Sequence, residues 1–317
     1  MNMRKSPAIV VVLGTGGTIA GVSQVPGDNV HYQAAQLSVQ QLVDAVPALA
    51  GHALESEQVV QVDSKDMDFA IWLALARRIE LHLAREDVAG VVVTHGTDTL
   101  EETAYFMQRV LAPPKKPVVF TAAMRPATAL LRDGPQNLLD AVKVARVVGA
   151  CGVLAVLAGS VHSALDVRKV HSYRLDAFSS GEAGPLGRVE EGRLRKFREW
   201  PQGVAIGLAR LPHDPVPWPV VEVITGHAGS SGALVQAALA SGVHGLIVAG
   251  PGNGSVHHAL DAALRVAQAR GVLVWRSTRC LDGPVFDEPD VPFPSAGTLT
   301  PVQARIEMML LLMAPPN

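Results

Sequence analysis

The residues able to do chemistry gather in short segments, most of them after runs of β-branched residues. Leu13-Gly14-Thr15-Gly16-Gly17-Thr18-Ile19-Ala20-Gly21 follows the first run. Its glycines permit a tight turn and expose backbone N–H groups. It is not a dinucleotide fingerprint, because Ile19 stands where the third glycine belongs. It is not a P-loop either, because no Gly-Lys-Ser/Thr follows. What remains is a hydroxyl, on Thr15 or Thr18, at the carboxyl end of a strand, where open α/β sheets place ligands. An ordinary glycine-rich turn accounts for the segment equally well. Val92-Val93-Thr94-His95-Gly96-Thr97-Asp98-Thr99-Leu100-Glu101-Glu102-Thr103 also joins a strand to a helix. Thr97 or Asp98 could cap that helix. The pair could instead orient water and hold an ammonium beside the N–H groups of the helix N-terminus. His95 has no His or Cys neighbour at metal-ligand spacing.

Two further segments carry polar groups. Val62-Asp63-Ser64-Lys65-Asp66-Met67 reads as a helix cap, with Ser64 or Asp66 at the N-cap. Leu165-Asp166-Val167-Arg168-Lys169 holds one of only seven lysines, against twenty arginines. A desolvated lysine can lose its proton near neutrality and an arginine cannot, although a solvated surface lysine is the plainer reading. The loops Thr121-Ala122-Ala123-Met124-Arg125-Pro126, Asp133-Gly134-Pro135-Gln136-Asn137 and Gly250-Pro251-Gly252-Asn253-Gly254-Ser255 are explicable as turns. His257 and His258 are adjacent and do not share a helix face. Cys151 and Cys280 cannot form a disulfide framework.

These segments need a scaffold. β-Branched runs at 8–13, 58–62, 90–94, 117–121 and 152–158 alternate with helical stretches near 38–46, 67–86, 98–111 and 134–148. That alternation predicts a parallel sheet covered on both faces. Within 67–86, Phe69, Leu73, Ala76, Ile79 and Leu83 form the apolar stripe. Residues 184–198 read as a short hairpin. Pro201, Pro212, Pro215, Pro217 and Pro219 then crowd a segment that resists helix and central strand. Strands near 220–225, 245–249 and 272–276 follow, with helices near 230–240 and 257–269. Thr300-Pro301 opens a buried terminal helix over 300–313. The expected architecture is α/β: a larger N-terminal, mainly parallel-sheet domain over 1–198, a linker at 199–219, and a smaller C-terminal α/β domain over 220–317.

Composition removes several function classes. At 48% hydrophobic the 317-residue chain has material for a sizeable core. A net charge of −2 without a basic stripe argues against nucleic acid as a partner. The apolar run at 308–313 is too short to span a bilayer. The basic segment 1–5 and the apolar run 8–13 mimic a signal peptide, but the run enters the Gly14–Thr18 motif without a cleavage site. It reads as a buried strand, and the expected compartment is the cytoplasm. The chemistry is left to hydroxyls, carboxylates and amines.

The order of the motifs is more specific than any one of them. Gly-Gly-Thr-Ile-Ala-Gly at 16–21, His-Gly-Thr-Asp-Thr-Leu-Glu-Glu-Thr-Ala at 95–104, Ala-Met-Arg-Pro at 123–126, Asp-Gly-Pro-Gln-Asn-Leu at 133–138 and Ala-Gly-Thr-Leu-Thr-Pro at 296–301 resemble the bacterial-type L-asparaginase and glutaminase-asparaginase family. The resemblance covers essentially the whole chain and implies the same two-domain fold. It implies amide hydrolysis in two steps, with Thr18 as nucleophile forming an acyl ester. Tyr32, on a lid at 21–30 and just beyond that contains Pro26, Gly27 and Asp28, matches the tyrosine that helps activate it. Thr97, Asp98 and Lys169 match a second triad, with a neutral or proton-sharing Lys169 as base toward Thr97. Asp98 would take the substrate α-ammonium and Ser64 its carboxylate. Asn253 resembles an asparagine contributed by a neighbouring subunit, and the glutamate of the C-terminal domain is matched by Glu288, with Asp287 as rival. The resemblance implies no metal or organic cofactor, and a homodimer or homotetramer with shared sites.

Lys65 departs from the family pattern, which usually has a neutral or acidic residue near the substrate's amino end. A cation there predicts weak or shifted specificity unless Lys65 points away or pairs with Asp66 or Asp98. Two other readings compete: an amidase for another substrate, such as L-Gln, D-Asn or that of an ammonia-supplying amidotransferase subunit, and a non-catalytic amino-acid-binding protein on the same fold. An amidotransferase subunit would add an RNA-binding domain or a basic face. A binding protein would have lost the nucleophile or the Thr-Asp pair, and neither is lost here.

Overall fold

The computed structural model describes residues 8–25, 27–203, 205–211 and 217–313. The basic segment 1–5, Pro26 of the expected lid, and Pro212 and Pro215 of the proline-crowded segment lie outside these residues. The chain divides into two compact units, Met1–Leu208 and Ala209–Asn317.

The first unit begins β1 (Ile9–Gly16), α1 (Val39–Asp44), β2 (Leu54–Val62), α2 (Phe69–Leu83), β3 (Val88–Thr94), α3 (Leu100–Val110), β4 (Val118–Thr121), α4 (Gly134–Ala145) and β5 (Val153–Leu157). It continues through β6 (Ser160–Ser163), β7 (Arg168–Lys169), β8 (Phe178–Ser179), β9 (Gly187–Glu190) and β10 (Arg193–Lys196). Eight strands form one sheet in the order β10-β9-β6-β5-β4-β3-β1-β2. The five strands β2, β1, β3, β4 and β5 are parallel, and β6, β9 and β10 extend the sheet antiparallel. β7 and β8 pair separately.

The inner parallel strands β1, β3, β4 and β5 are almost wholly apolar because both faces are covered, whereas β2, at the sheet edge, carries Glu55, Ser56, Glu57, Gln58 and Gln61. Val10, Val12, Val92, Val119, Leu154 and Val156 belong to a core shared with Leu42 of α1 and Leu138, Ala141 and Val142 of α4. Their fully buried neighbours Val11, Leu13, Val93, Phe120 and Val153 must point to the other face, since strand side chains alternate. There α2 packs on β2 and β3, and α3 on β5. Trp72 ties those helices together, stacking on Phe106 at 4.7 Å and donating to the Thr103 hydroxyl at 2.9 Å. In α2 the stripe is carried by Trp72, Leu73, Leu75, Ala76 and Ile79, with Phe69 and Leu83 only half-buried at the helix ends.

Two helix starts differ from the sequence expectation. The N-cap of α3 is Thr99, one residue past Asp98, and its hydroxyl donates to the Ser64 carbonyl at 2.7 Å. Neither Ser64 nor Asp66 caps α2. They sit in a separate 3-10 turn, Ser64–Asp66, and Asp68 caps α2 by accepting from the Ile71 N–H at 2.8 Å. Before α2 an extra 3-10 turn separates strand from helix, and before α3 the helix begins after Thr99, so Thr97 and Asp98 stay in the loop.

The strand order 2-1-3-4-5 reverses direction between β1 and β3. Loops leaving the carboxyl ends of two strands on either side of such a switch diverge and open a crevice. The loop after β1 carries Thr18 and the loop after β3 carries Thr97.

The second unit holds β11 (Val221–Thr225), α5 (Ala233–Ala240), β12 (Gly245–Gly250), α6 (His258–Ala269), β13 (Leu273–Thr278) and α7 (Pro301–Met313). Its three strands are parallel in sequence order. Leu246, Val248, Leu260, Leu264 and Phe293 fill its core. Thr300 opens α7, accepting from the Gln303 N–H while the Gln303 side chain accepts from its own N–H. No helix among the described residues is long and apolar enough to cross a membrane.

Candidate active site

The two threonines of the first loop have separate uses. The buried Thr15 hydroxyl donates to the Thr94 carbonyl at 2.9 Å, tying β1 to β3. Thr18 lies in a 3-10 turn just beyond, and its hydroxyl is 2.6 Å from the Tyr32 phenol oxygen. Tyr32 returns to Thr18 because the chain folds back on itself: Val22 and Gln33 exchange both backbone hydrogen bonds at 2.9 Å. Burial raises the Tyr32 phenol above its ordinary value of 10.0, with the Asp63 and Asp98 charges in support and the Thr18 bond opposing. The phenol therefore keeps its proton at neutral pH and can either donate to or accept from the Thr18 hydroxyl.

The second group lies on the loops after β2 and β3 and on β7. The Lys169 Nζ donates to the Thr97 hydroxyl at 2.9 Å and to Asp98 Oδ1 at 2.6 Å. Thr97 is buried, and Asp98 keeps more than half of its side chain exposed to accept another cation. The Ser64 hydroxyl accepts from the Asp98 N–H at 3.3 Å and retains its own proton for donation. Lys169 is fixed from its backbone. It pairs with Phe178 across β7 and β8, and its N–H donates to the Glu101 carboxylate.

Glycine brings the groups together. Gly17 has φ +80° and a Cβ there would strike the backbone of Gly96, while a Cβ on Gly96 would strike the Ser64 side chain. Thus the Thr18, Ser64 and Thr97 loops touch at positions where only glycine fits. Behind them, the Asp133 carboxylate accepts from Met124 N–H at 2.9 Å and Arg125 N–H at 3.0 Å. Asn137 bridges the loops after β4 and β5, donating to the Ala122 carbonyl at 2.9 Å and accepting from the Ala158 N–H at 3.0 Å. His95 is fully buried and bonded to the Gly96 carbonyl at 2.7 Å, and burial pushes its imidazole down to about 4. It is a neutral strut under the loop.

Lys65 takes one of the three options open to it: its ammonium pairs with Asp66 on the surface. In the second unit the Asn253 amide donates to Glu288 Oε1 at 2.8 Å. Asp287 is used within its own loop, accepting from the Ser295 N–H at 2.7 Å. The buried Arg276 guanidinium organises this cluster, reaching the Asn253, Phe286 and Phe293 carbonyls at 3.0–3.2 Å.

Sequence reasoning missed Glu101 and Arg276 as organisers. Glu101 lies inside a quoted motif, but only the fold brings it under Lys169, 68 residues away in sequence. Arg276, in a strand otherwise read as apolar, was the available signal for a buried polar network. Burial raises the Glu101 carboxyl to about 7, opposed by the Lys169 N–H bond.

The match to known proteins runs the length of both units. Residues 9–202 match the model of the asparaginase N-terminal domain and residues 220–316 that of the glutaminase/asparaginase C-terminal domain. The chain belongs to the asparaginase family. This asparaginase-family chain is 39% identical to L-asparaginase 2 of Bacillus subtilis, covering 95% of the chain and 81% of the relative. It is 37% identical to the glutaminase-asparaginase of Pseudomonas fluorescens, covering 96% and 86%. The crystal structure of a probable cytoplasmic L-asparaginase from Campylobacter jejuni superposes with a TM-score of 0.90 at 34% identity, covering 96% of this chain and 95% of that one.

Proposed function

We propose that this asparaginase-family chain hydrolyses L-asparagine to L-aspartate and ammonia through an ester on Thr18. The observation that carries the reading is the contact of two hydroxyl relays, Thr18 with Tyr32 and Thr97 with Lys169, on loops joined at Gly17 and Gly96. In the first step the Thr18 oxygen attacks the side-chain amide carbon. Its proton passes through Tyr32 toward the nitrogen, and the C–N bond breaks to free ammonia. In the second step Lys169, acting in its neutral form, draws a proton from water through the Thr97 hydroxyl. The hydroxide adds to the ester carbon, and the bond between that carbon and the Thr18 oxygen breaks to release aspartate. Tyr32 protonates the departing Thr18 oxygen, and exchange with solvent resets Tyr32 and Lys169. Asp98 holds the substrate ammonium, and Ser64 donates to its carboxylate. The relatives' names support asparagine as substrate.

Two finer points belong to the same reading. Glutamine is a second substrate, which the name of the 37% identical Pseudomonas relative supports. The Asn253–Glu288 pair completes the site of another protomer in a homodimer or homotetramer, and the cytoplasm is the compartment. The test is ammonia release by wild type and Thr18→Ala from L-Asn, L-Gln and D-Asn. Release from L-Asn that disappears in a folded Thr18→Ala supports the reading. Tight aspartate binding without any release would favour a binding protein.

A further inference from the structure

A cavity of about 350 Å³ opens in the first unit, on the side of the Thr18 turn lined by Ile19. Its walls are almost wholly apolar: Ile19 and Val22 from the first loop, Leu42 of α1 and Val46 just beyond it, and Leu138 of α4. The volume is in the range of small-molecule sites. None of the groups assigned to amide hydrolysis lines it.

Two cations also line this cavity, Arg125 and Arg132. Arg125 donates to the carbonyls of Met124 at 3.2 Å and Tyr173 at 2.8 Å and stacks over the Tyr173 ring at 4.0 Å. Arg132 donates to the Ala127 carbonyl at 3.2 Å. Among the described residues neither guanidinium has a carboxylate partner. Asp133, their nearest acidic neighbour in sequence, spends both oxygens on the Met124 and Arg125 N–H groups. An apolar chamber with two unneutralised guanidinium groups is complementary to a molecule with an apolar body and one negative charge. Arginine's planar fork suits a carboxylate.

We propose that this cavity is a binding site for an amphipathic monocarboxylate, such as a medium-chain or aryl carboxylate. Its body fills the chamber and its charge meets Arg132 and Arg125. The site communicates with the Thr18 turn through its walls. Ile19 shares the 3-10 turn of Thr18, and Val22 is bonded through its backbone to Gln33, next to Tyr32. Binding itself does not depend on the hydrolysis reading, whereas the coupling to turnover rests on it.

Octanoate is the probe, titrated calorimetrically into the wild-type protein, Ala45→Phe and Arg132→Gln. Ala45 is exposed on the cavity wall, so a phenylalanine there occupies the chamber without disturbing the core. The expected dissociation constant for wild type is on the order of 0.1 mM. Ala45→Phe should weaken binding by about tenfold or more, and Arg132→Gln by roughly threefold. Uncharged 1-octanol should bind less tightly than octanoate. No binding by wild type, unchanged binding in both variants, or octanol binding as tightly as octanoate would overturn the site. Arg132→Gln is a surface change and keeps the test decisive should Ala45→Phe fail to fold. Saturating octanoate is expected to alter kcat/KM for L-Asn at least twofold in wild type and not in Ala45→Phe; binding with unchanged kcat/KM would overturn the coupling alone.

Discussion

Glu101 is the residue whose titration the fold changes most informatively. Its carboxyl sits under Lys169, where burial raises it from 4.5 to about 7. The folded state therefore holds a proton that the unfolded chain releases between those values. Across that window stability falls as pH rises, by at most about 1.4 kcal/mol per pH unit. Glu101→Gln keeps an acceptor for the Lys169 N–H and removes the titration. Urea midpoints at pH 5 and pH 7.5 should then converge relative to wild type, and an unchanged difference would count against a buried, titrating Glu101. Lys65 gives the opposite expectation. Its charge is matched by Asp66 at the surface, so Lys65→Gln should change kcat/KM for L-Asn by less than about threefold. A larger change would show that the cation reaches the substrate. The sequence exposed the problem of Lys65, but which acid it chooses depends on the turn Ser64–Asp66.

At the scale of elements, the strand–helix alternation was legible because β1, β3, β4 and β5 are nearly continuous apolar runs and α2 presents an apolar stripe between them. The antiparallel strand β6, Ser-Val-His-Ser, was not legible, since its pattern is too short and too polar to stand out. The same holds for the two-residue strands β7 and β8, which exist only through their pairing. Thr15 and Thr18 were equivalent in sequence, and three residues of backbone decide between them by turning one hydroxyl to Thr94 and the other to Tyr32. Asn137 shows how α4 supports this arrangement. It is 2% exposed and holds the loops after β4 and β5 by two backbone hydrogen bonds. Asn137→Leu leaves the carbonyl of buried Ala122 unpaired and frees the N–H of the exposed Ala158, and should cost about 1–3 kcal/mol in denaturant unfolding. A loss below about 0.5 kcal/mol would mean that water satisfies those groups instead.

For the whole molecule, the proposed sharing of sites between protomers makes a prediction that a monomeric site cannot meet. Thr18→Ala and Asn253→Ala are each expected to be poorly active alone. Unfolded together and refolded as a mixture, they should recover about a quarter of wild-type sites, because each mixed dimer contains one site with both residues intact. No recovery above the separate variants would place Asn253 outside any shared site. The proposed route divides the labour, with Thr18 taking the acyl group and Lys169 serving the water step through Thr97. The most direct measurement is acid quenching of a Lys169→Met variant during turnover of L-Asn, followed by mass spectrometry of its peptides. The proposed route predicts an aspartyl ester on the peptide that carries Thr18. An ester on Thr97, or continued ammonia release with no ester on either threonine, would contradict it.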